Sequence, residues 1–472
     1  MRLLVFFLLL VSLCQAQPQI LLGMTKQGGQ SNYGAVFSFT IDSGIEVVRS
    51  LDSSNGAYPY GSIMETLQGG VFGVTYAGGT ANSGVIFSYD YFSDTLLYNT
   101  VLHNFGQGND GASPTGSLFQ AGDGVLYGLT YIGGTYNQGA IFSYNISWDS
   151  EAVLYSFKDS ADGGLPHGSL IQANDYLLYG TTTSGGAHNM GTIFSYNIST
   201  DVQVVSHSFS NNSDGQTPEG SLIQATDSFL YGMAHYGGLY AKGIIFNYNI
   251  FTGAYRILHS FRGNDDGQYP TGSLLKANNG MIYGMTPGGG TVNQGVIFSY
   301  SILTDTISVI HNFGIDSDGA FPYGSLIQVE DSLLYGITSL GGANNIGTVF
   351  SYNINTSNEK VLTSFNGQNG NCAGWNGDLM EVHAAVENIV NLTIPQLQIS
   401  PNPTTGQFTI QLPGNKTSYT AEIYNTLGQK VEQLTLTNTT NTLNLNTQPT
   451  GMYFINVQTE EGNFTGKIMI VR

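Results

Sequence analysis

The residues able to do chemistry in this chain fall into recurring columns. Four of its eight histidines, His103, His207, His259 and His311, share one position, where Arg49, Tyr155 and Thr363 stand in other copies of the same pattern. A position used once per structural unit spreads its residues apart, so these four read as structural or solvated rather than as one metal or substrate site. His167, His188 and His235 fall instead in the connecting segments of the pattern. Imidazoles grouped there could hold a metal or serve as the base of a lyase. No HxH or HExxH spacing accompanies them, and no Ser-His-Asp constellation is readable.

The carboxylates form a second column. Asp110, Asp162, Asp214, Asp266 and Asp318 each precede a glycine, with further side-chain oxygens nearby at Asn109, Asp159, Asn212, Asp265 and Asp316. Alternating oxygens before a glycine can wrap calcium, the one candidate cofactor, although the downstream bidentate acid of a calcium loop is missing. Asp-Gly is also a tight-turn dipeptide, and the turn reading is the stronger. Aromatics make the third column. Two residues before successive Gly-Gly pairs lie Tyr76, Tyr131, Thr183, His235, Pro287 and Ser339. Tyr136, Tyr240 and Val292 share a position in the loop that follows, and Asn82, Asn137, Asn189, Asn293 and Asn345 recur beside it. Exposed tyrosine beside amide side chains suits a sugar or peptide, which makes Tyr76, Tyr131, Tyr136, His188, His235 and Tyr240 the expected ligand residues. The alternative is that these tyrosines pack under the loops.

What must position these columns is a repeated cassette. From Gly168 to Phe209 it reads as four strands, GSLIQA, LLYGTT, TIFSYNI and VQVVSHSF, bounded by Asn-Asp, Ser-Gly-Gly and Ser-Thr-Asp turns. The glycine closing strand two recurs at Gly23, Gly73, Gly128, Gly180, Gly232, Gly284 and Gly336, the last five spaced by 52 residues. A fixed period of four strands predicts an all-β, seven-bladed β-propeller. The chain enters at strand two with Leu21-Leu22-Gly23, and the missing strand one stands at the far end as Gly377-Asp378-Leu379-Met380-Glu381-Val382. One blade shared between the ends would close the ring and remove its open edges. In such a meander the loop from strand two to three and the blade-linking loop share one face. Those are the long loops, so that face is where function is expected.

The LYGxTxxGGxxxxG core with its IFSY strand resembles the GloVer tandem repeat of secreted bacterial proteins, from Leu21 to about Val382. The run of a strand into a Gly-Gly pair is similar to a kelch blade. The resemblance implies a fold and a location rather than a reaction. The end copies depart most, with Asn55-Gly56 in place of Asp-Gly and Asn371-Cys372-Ala373-Gly374-Trp375 where a proline is expected.

Residues 1–16 read as a secretory signal, with Arg2, an apolar run from Leu3 to Leu13 and a Cys14-Gln15-Ala16 end. The propeller then occupies 17–385, a linker 386–396, and a small Ig-like β-sandwich 397–472. SPNPTTGQF, IYNTLGQKV, PTGMYFINV and the terminal KIMIVR resemble the C-terminal sorting domain of the type nine secretion system of Bacteroidetes. The motif residues are Pro401, Asn402, Pro403, Gly406, Gly428, Gly451 and Tyr453. This resemblance implies outer-membrane secretion machinery as a partner, then removal of the domain and attachment to the surface or release. An accessory sugar-binding sandwich is the alternative. The net charge of −19, without a basic run, excludes counterion release on nucleic acid and disfavours anionic membranes. No segment has the length and apolarity of a transmembrane helix, and after signal removal Cys372 is the one cysteine left. The expectation is a secreted or surface-displayed, non-catalytic binding or adhesion propeller for carbohydrate or another extracellular ligand. A secreted enzyme such as a polysaccharide lyase is the alternative.

Overall fold

Each cassette folds around a glycine that makes room for an aromatic ring. Strand Leu178–Ser184 pairs antiparallel with Thr192–Asn197, placing Gly180 opposite Phe194. A Cβ on Gly180 would lie 2.6 Å from the Phe194 ring, so a residue without a side chain is required there. Val202–Ser208 adds the outer strand, with a bulge between Ile193 and Phe194, and Ile171–Gln172 adds a very short inner one. The Thr192–Asn197 strand is buried on both faces over its first five residues, as a strand covered by neighbouring sheets must be.

The computed structural model describes residues 20–470 except 68, 90–99, 147, 160, 211–213, 226–227, 265, 315–317, 373–377, 383–397, 401–403, 412–418, 426–429, 437–439 and 460–461. The signal segment 1–16, the linker 386–396, Gly377, Asn212, Asp265, Asp316, Pro401, Asn402, Pro403 and Gly428 lie outside the described residues. The chain divides into two compact units, Met1–Ala384 and Ala385–Arg472.

Among the described residues the first unit holds seven antiparallel sheets. The first has the order Gly44–Ser50, Ala35–Thr40, Ile20–Thr25, Leu379–Val382, so it takes strands from both ends of the unit. Leu22 stands opposite Met380 and Gly23 opposite Leu379. The second to seventh sheets are centred on Gly73, Gly128, Gly180, Gly232, Gly284 and Gly336 and repeat one order from inner to outer strand. Each of the seven has the same bulge between its third and outer strands.

Neighbouring sheets are joined by edge-to-face phenylalanine pairs. Phe105 meets Phe142 at 5.0 Å, Phe157 meets Phe194 at 5.1 Å, and Phe313 meets Phe350 at 5.1 Å. Phe365 of the seventh sheet meets Phe37 of the first at 5.4 Å. Such pairs contribute about 0.5–1.5 kcal/mol each beyond burial. The apolar clusters run sheet to sheet in the same sequence, and the last joins Tyr335, Ile337 and Val349 to Leu21, Phe37 and Phe39. Cys372, fully buried, belongs to that cluster.

The second unit has a three-stranded sheet, Gln398–Ser400, Gln407–Gln411 and Thr440–Asn444, and a four-stranded one. The four strands are Lys430–Leu436, Tyr419–Asn425, Gly451–Thr459 and Gly462–Ile470, in that order. Phe408, Ile410, Ile423, Leu443, Ile455 and Ile468 are among the residues of its core. Tyr453 is buried there and donates its hydroxyl to the Pro449 carbonyl at 2.9 Å. Gly406 holds a positive φ of 127°, where a Cβ would strike Asn446.

Candidate functional site

At the inner ends of six of the described sheets the chain turns through a Gly-Ser pair, and successive turns meet. A Cβ on Gly116 would lie 2.4 Å from the Gly168 carbonyl oxygen, and one on Gly168 2.8 Å from that of Gly220. The backbones therefore touch, which explains why a residue without a side chain stands at each of these positions. Hydrogen bonds run from turn to turn: the amides of Ser62, Ser117, Ser169, Ser221 and Ser273 donate to the hydroxyls of Ser117, Ser169, Ser221, Ser273 and Ser325 at 2.7–2.9 Å. The Ser325 amide donates to Asp378 Oδ1 at 2.5 Å. Burial pushes the Asp378 carboxyl up, against the pull of its bonds from Ser325.

A cavity opens over this ring. The residues before five of these glycines line it: Tyr60, Thr115, His167, Glu219 and Thr271. His167 Nδ1 lies 3.3 Å from the Glu219 carbonyl oxygen, and Thr115 donates its hydroxyl to the His167 carbonyl at 2.8 Å. A second tier comes from the residues two before each Gly-Gly pair. Tyr76 packs on Tyr60 at 5.0 Å and Tyr131 on His167 at 6.1 Å between ring centres. Lys26 donates to the Tyr60 hydroxyl at 2.7 Å and lies 4.4 Å above its ring. His235 Nδ1 is 3.7 Å from Glu219 Oε2, and its ring stacks on Tyr269 at 5.5 Å.

Burial dominates the electrostatics here. It pushes the Glu219 carboxyl up to about 7 and pulls His235 down to about 4, with His167 adding to the second effect. It also lowers His167 and raises the Tyr131 hydroxyl. Burial thus favours the uncharged forms of the two imidazoles and of the Glu219 carboxyl, which leaves neutral groups to exchange hydrogen bonds with a polar ligand.

The structure separates the expected ligand residues. Tyr76, Tyr131 and His235 lie against residues that line the cavity, Tyr60, His167 and Glu219 respectively. Tyr136 and Tyr240 lie on the loops, 51% and 45% exposed, beside Lys158 at 5.7 Å and Arg262 at 5.9 Å. His188 is exposed in the equivalent loop. The loop asparagines, expected to offer amides to a ligand, turn inward. Asn82, Asn137, Asn189, Asn293 and Asn345 adopt φ near 55–60°. Their Oδ1 atoms accept the amides of Gly78, Gly133, Gly185, Gly289 and Gly341 at 2.9–3.1 Å, capping their own loops. Lys26, Tyr60, Glu219 and Tyr269 were not singled out from sequence. The signal that finds three of them is columnar: Tyr60 and Glu219 precede Gly-Ser, and Lys26 precedes the first Gly-Gly pair by two.

The Asp-Gly aspartates lie at the opposite, outer end of the sheets. Asp110, Asp266 and Asp318 have Oδ2 within 2.7–3.0 Å of Nε2 of His103, His259 and His311, Asp214 is 3.4 Å from His207, and Asp162 accepts from the Tyr155 hydroxyl at 2.6 Å. Oδ1 of Asp110, Asp214, Asp266 and Asp318 accepts an amide of its own loop at 2.7–3.1 Å. These contacts fasten each blade-linking turn to the bulged outer strand. The partners they take are nitrogen or phenol groups, whereas the weaker calcium alternative called for a set of oxygens.

Comparison with known proteins agrees with this architecture. The Gloeobacter/Verrucomicrobia repeat matches residues 11–194 and 177–386, and the secretion system C-terminal sorting domain matches 398–471. No curated protein matches the chain. Among solved structures, a Bacteroides uniformis protein provisionally named a 6-phosphogluconolactonase is 15% identical, with 73% of this chain and 95% of that one covered and a TM-score of 0.51. A Mycobacterium tuberculosis puromycin-hydrolyzing peptidase is 10% identical with a TM-score of 0.52, covering 86% of this chain and 60% of the peptidase. At such identities the likeness is one of fold: all-β, many four-stranded antiparallel sheets, propeller-like.

Proposed function

Because the chain belongs to the Gloeobacter/Verrucomicrobia repeat family and ends in a type nine sorting domain that directs it to the cell surface or the extracellular space, we propose that it acts there as a non-catalytic binding or adhesion module. In this reading the seven sheets are the blades of a propeller closed by the shared first sheet, and the second unit is an Ig-like sandwich serving export. The ligand is a carbohydrate or similar polyhydroxyl compound taken at the cavity over the Gly-Ser ring. The observation that carries the reading is the joining of Tyr60, Tyr76 and Tyr131 to His167 and Glu219. Aromatic faces cover the apolar side of a sugar while the carboxyl and imidazoles meet its hydroxyls. The net charge of −19 favours neutral or cationic ligands over uronic or sulfated ones.

The test is a glycan-array screen with the mature chain, followed by two variants. Tyr131→Ala weakens binding by about 1–2 kcal/mol, close to tenfold, while Tyr136→Ala leaves it unchanged. Equal binding by a folded Tyr131→Ala protein would move the ligand surface elsewhere.

One observation favours a second reading, a lyase-type enzyme. Glu219, pushed up to about 7, beside the neutral His235 at 3.7 Å is the kind of pair that passes protons in general acid–base catalysis. Unsaturated products from a digest of a uronic-acid polysaccharide, whose carboxyl acidifies the proton to be removed, lost in Glu219→Gln, would establish it over simple binding.

A further inference from the structure

Away from the cavity, the outer edges of the sixth and seventh sheets bring three ligand-type side chains together. His311 lies on the outer strand of the sixth sheet, Asp318 on the segment leading out of it, and Glu359 on the outer strand of the seventh. One ligand atom from each lies within 4.8 Å of the others. His311 Nε2 approaches Asp318 Oδ2 to 2.7 Å, and the Asp318 side chain is only 7% exposed. Oε1 of Glu359 is buried without a hydrogen-bond partner. Two ionised carboxylates held together in a desolvated place are unfavourable unless one takes up a proton or a cation balances them.

The arrangement occurs twice. Between the second and third sheets, His103 Nε2 lies 3.0 Å from Asp110 Oδ2 and 4.0 Å from Glu151 Oε2. The Glu151 side chain is 8% exposed and its Oε1 is buried without a hydrogen-bond partner. In the sheets between, the glutamate position carries Gln203, Tyr255 and Ile307. There Gln203 donates to the Asp162 carbonyl at 3.3 Å and Tyr255 to the Asp214 carbonyl at 2.7 Å. The chain thus has an amide or phenol that satisfies the turn directly in some sheets, and an unpartnered carboxylate beside a His–Asp pair in two others.

We propose that His311, Asp318 and Glu359 bind a divalent transition-metal ion of the zinc or manganese class that clamps the sixth sheet to the seventh. His103, Asp110 and Glu151 form its looser copy between the second and third. One imidazole nitrogen with two carboxylates is a donor set for these ions, with remaining positions for water, whereas calcium takes six to eight oxygens.

The experiment uses the mature chain after chelation, with melting followed in added zinc, manganese or calcium and bound metal measured after dialysis. Zinc or manganese raises the melting temperature with concentration, as an ion binding only the folded state must, and at least one ion per chain is retained. Glu359→Gln weakens retention at least tenfold, and Glu359→Gln with Glu151→Gln abolishes the thermal response. Glutamine already stands at this position as Gln203, and melting of the variants in chelator checks that they fold. No response to zinc or manganese, a response to calcium alone, or an undiminished response in the double variant overturns the proposal.

Discussion

The Ser325 amide donates to Asp378 Oδ1 at 2.5 Å, the place in the inner ring where five other turns offer a serine hydroxyl. Asp378 comes from the far end of the unit, two residues before Met380, which pairs with Leu22. The ring of hydrogen bonds and the pairing of the chain ends therefore meet in one residue.

Asp378→Ala leaves the Ser325 amide buried without an acceptor, and Asp378→Ser restores one while removing a buried carboxyl. The alanine variant is expected to be less stable than the serine variant by about 1–3 kcal/mol. Chemical denaturation of the two proteins checks the difference, and equal stabilities would remove the ring from the account of stability.

Deleting residues 377–382 opens the edge of Ile20–Thr25 and removes Leu379 and Val382 from two apolar clusters. A sharp fall in melting temperature and a gain in aggregation follow from an unpaired edge strand. Calorimetry and light scattering measure both. A deletion protein that melts like the intact one would contradict closure through the first sheet.

Glu219 and His235 should show opposite pH dependences. The carboxyl, raised to about 7, makes folding most favourable below the ordinary glutamate range, a contribution lost as pH rises toward 7. The imidazole, lowered to about 4, contributes above the ordinary histidine value and loses that contribution as pH falls toward 4. The two slopes offset each other through mildly acid pH. Relative to the unmodified protein, Glu219→Gln tilts the melting profile upward with pH across that window, and His235→Gln tilts it downward. Parallel profiles would show that neither group is perturbed by its burial.

A chain lacking residues 397–472 loses the sorting domain and is expected to stop in the periplasm, because a signal segment alone crosses only the inner membrane. Fractionation of the producing cell reads this out. Normal surface levels of the shortened chain would separate export from the sorting domain.

Much of the fold was legible because its causes are local and periodic. The glycine opposite Phe194, the Gly-Gly turns and the strand that completes the first sheet all announce themselves by spacing. The candidate site was legible in half. Tyr76, Tyr131 and His235 were singled out because they precede Gly-Gly by two, and they lie against residues that line the cavity. Tyr136 and Tyr240 were grouped with them, since a loop position says nothing about distance from the centre. The asparagines misled because an amide that caps its own loop and one that awaits a ligand have the same sequence signature. Glu219 and the serine ring were missed for another reason. Their partners lie a whole repeat away, as in the Ser169–Ser221 bond, and no local pattern records a contact between successive copies.

The shared first sheet also fixes where the chain can be cut. Its last strand ends at Val382, and the first described strand of the sorting unit begins at Gln398. A protease acting between these points removes the address and leaves the cargo whole. The same enzyme acting a few residues earlier would take the fastening strand with it and release a chain with a bare edge. The position of this strand thus sets the margin for any such cut: beyond Val382 the pairing with Ile20–Thr25 is kept, and within Leu379–Val382 it is lost.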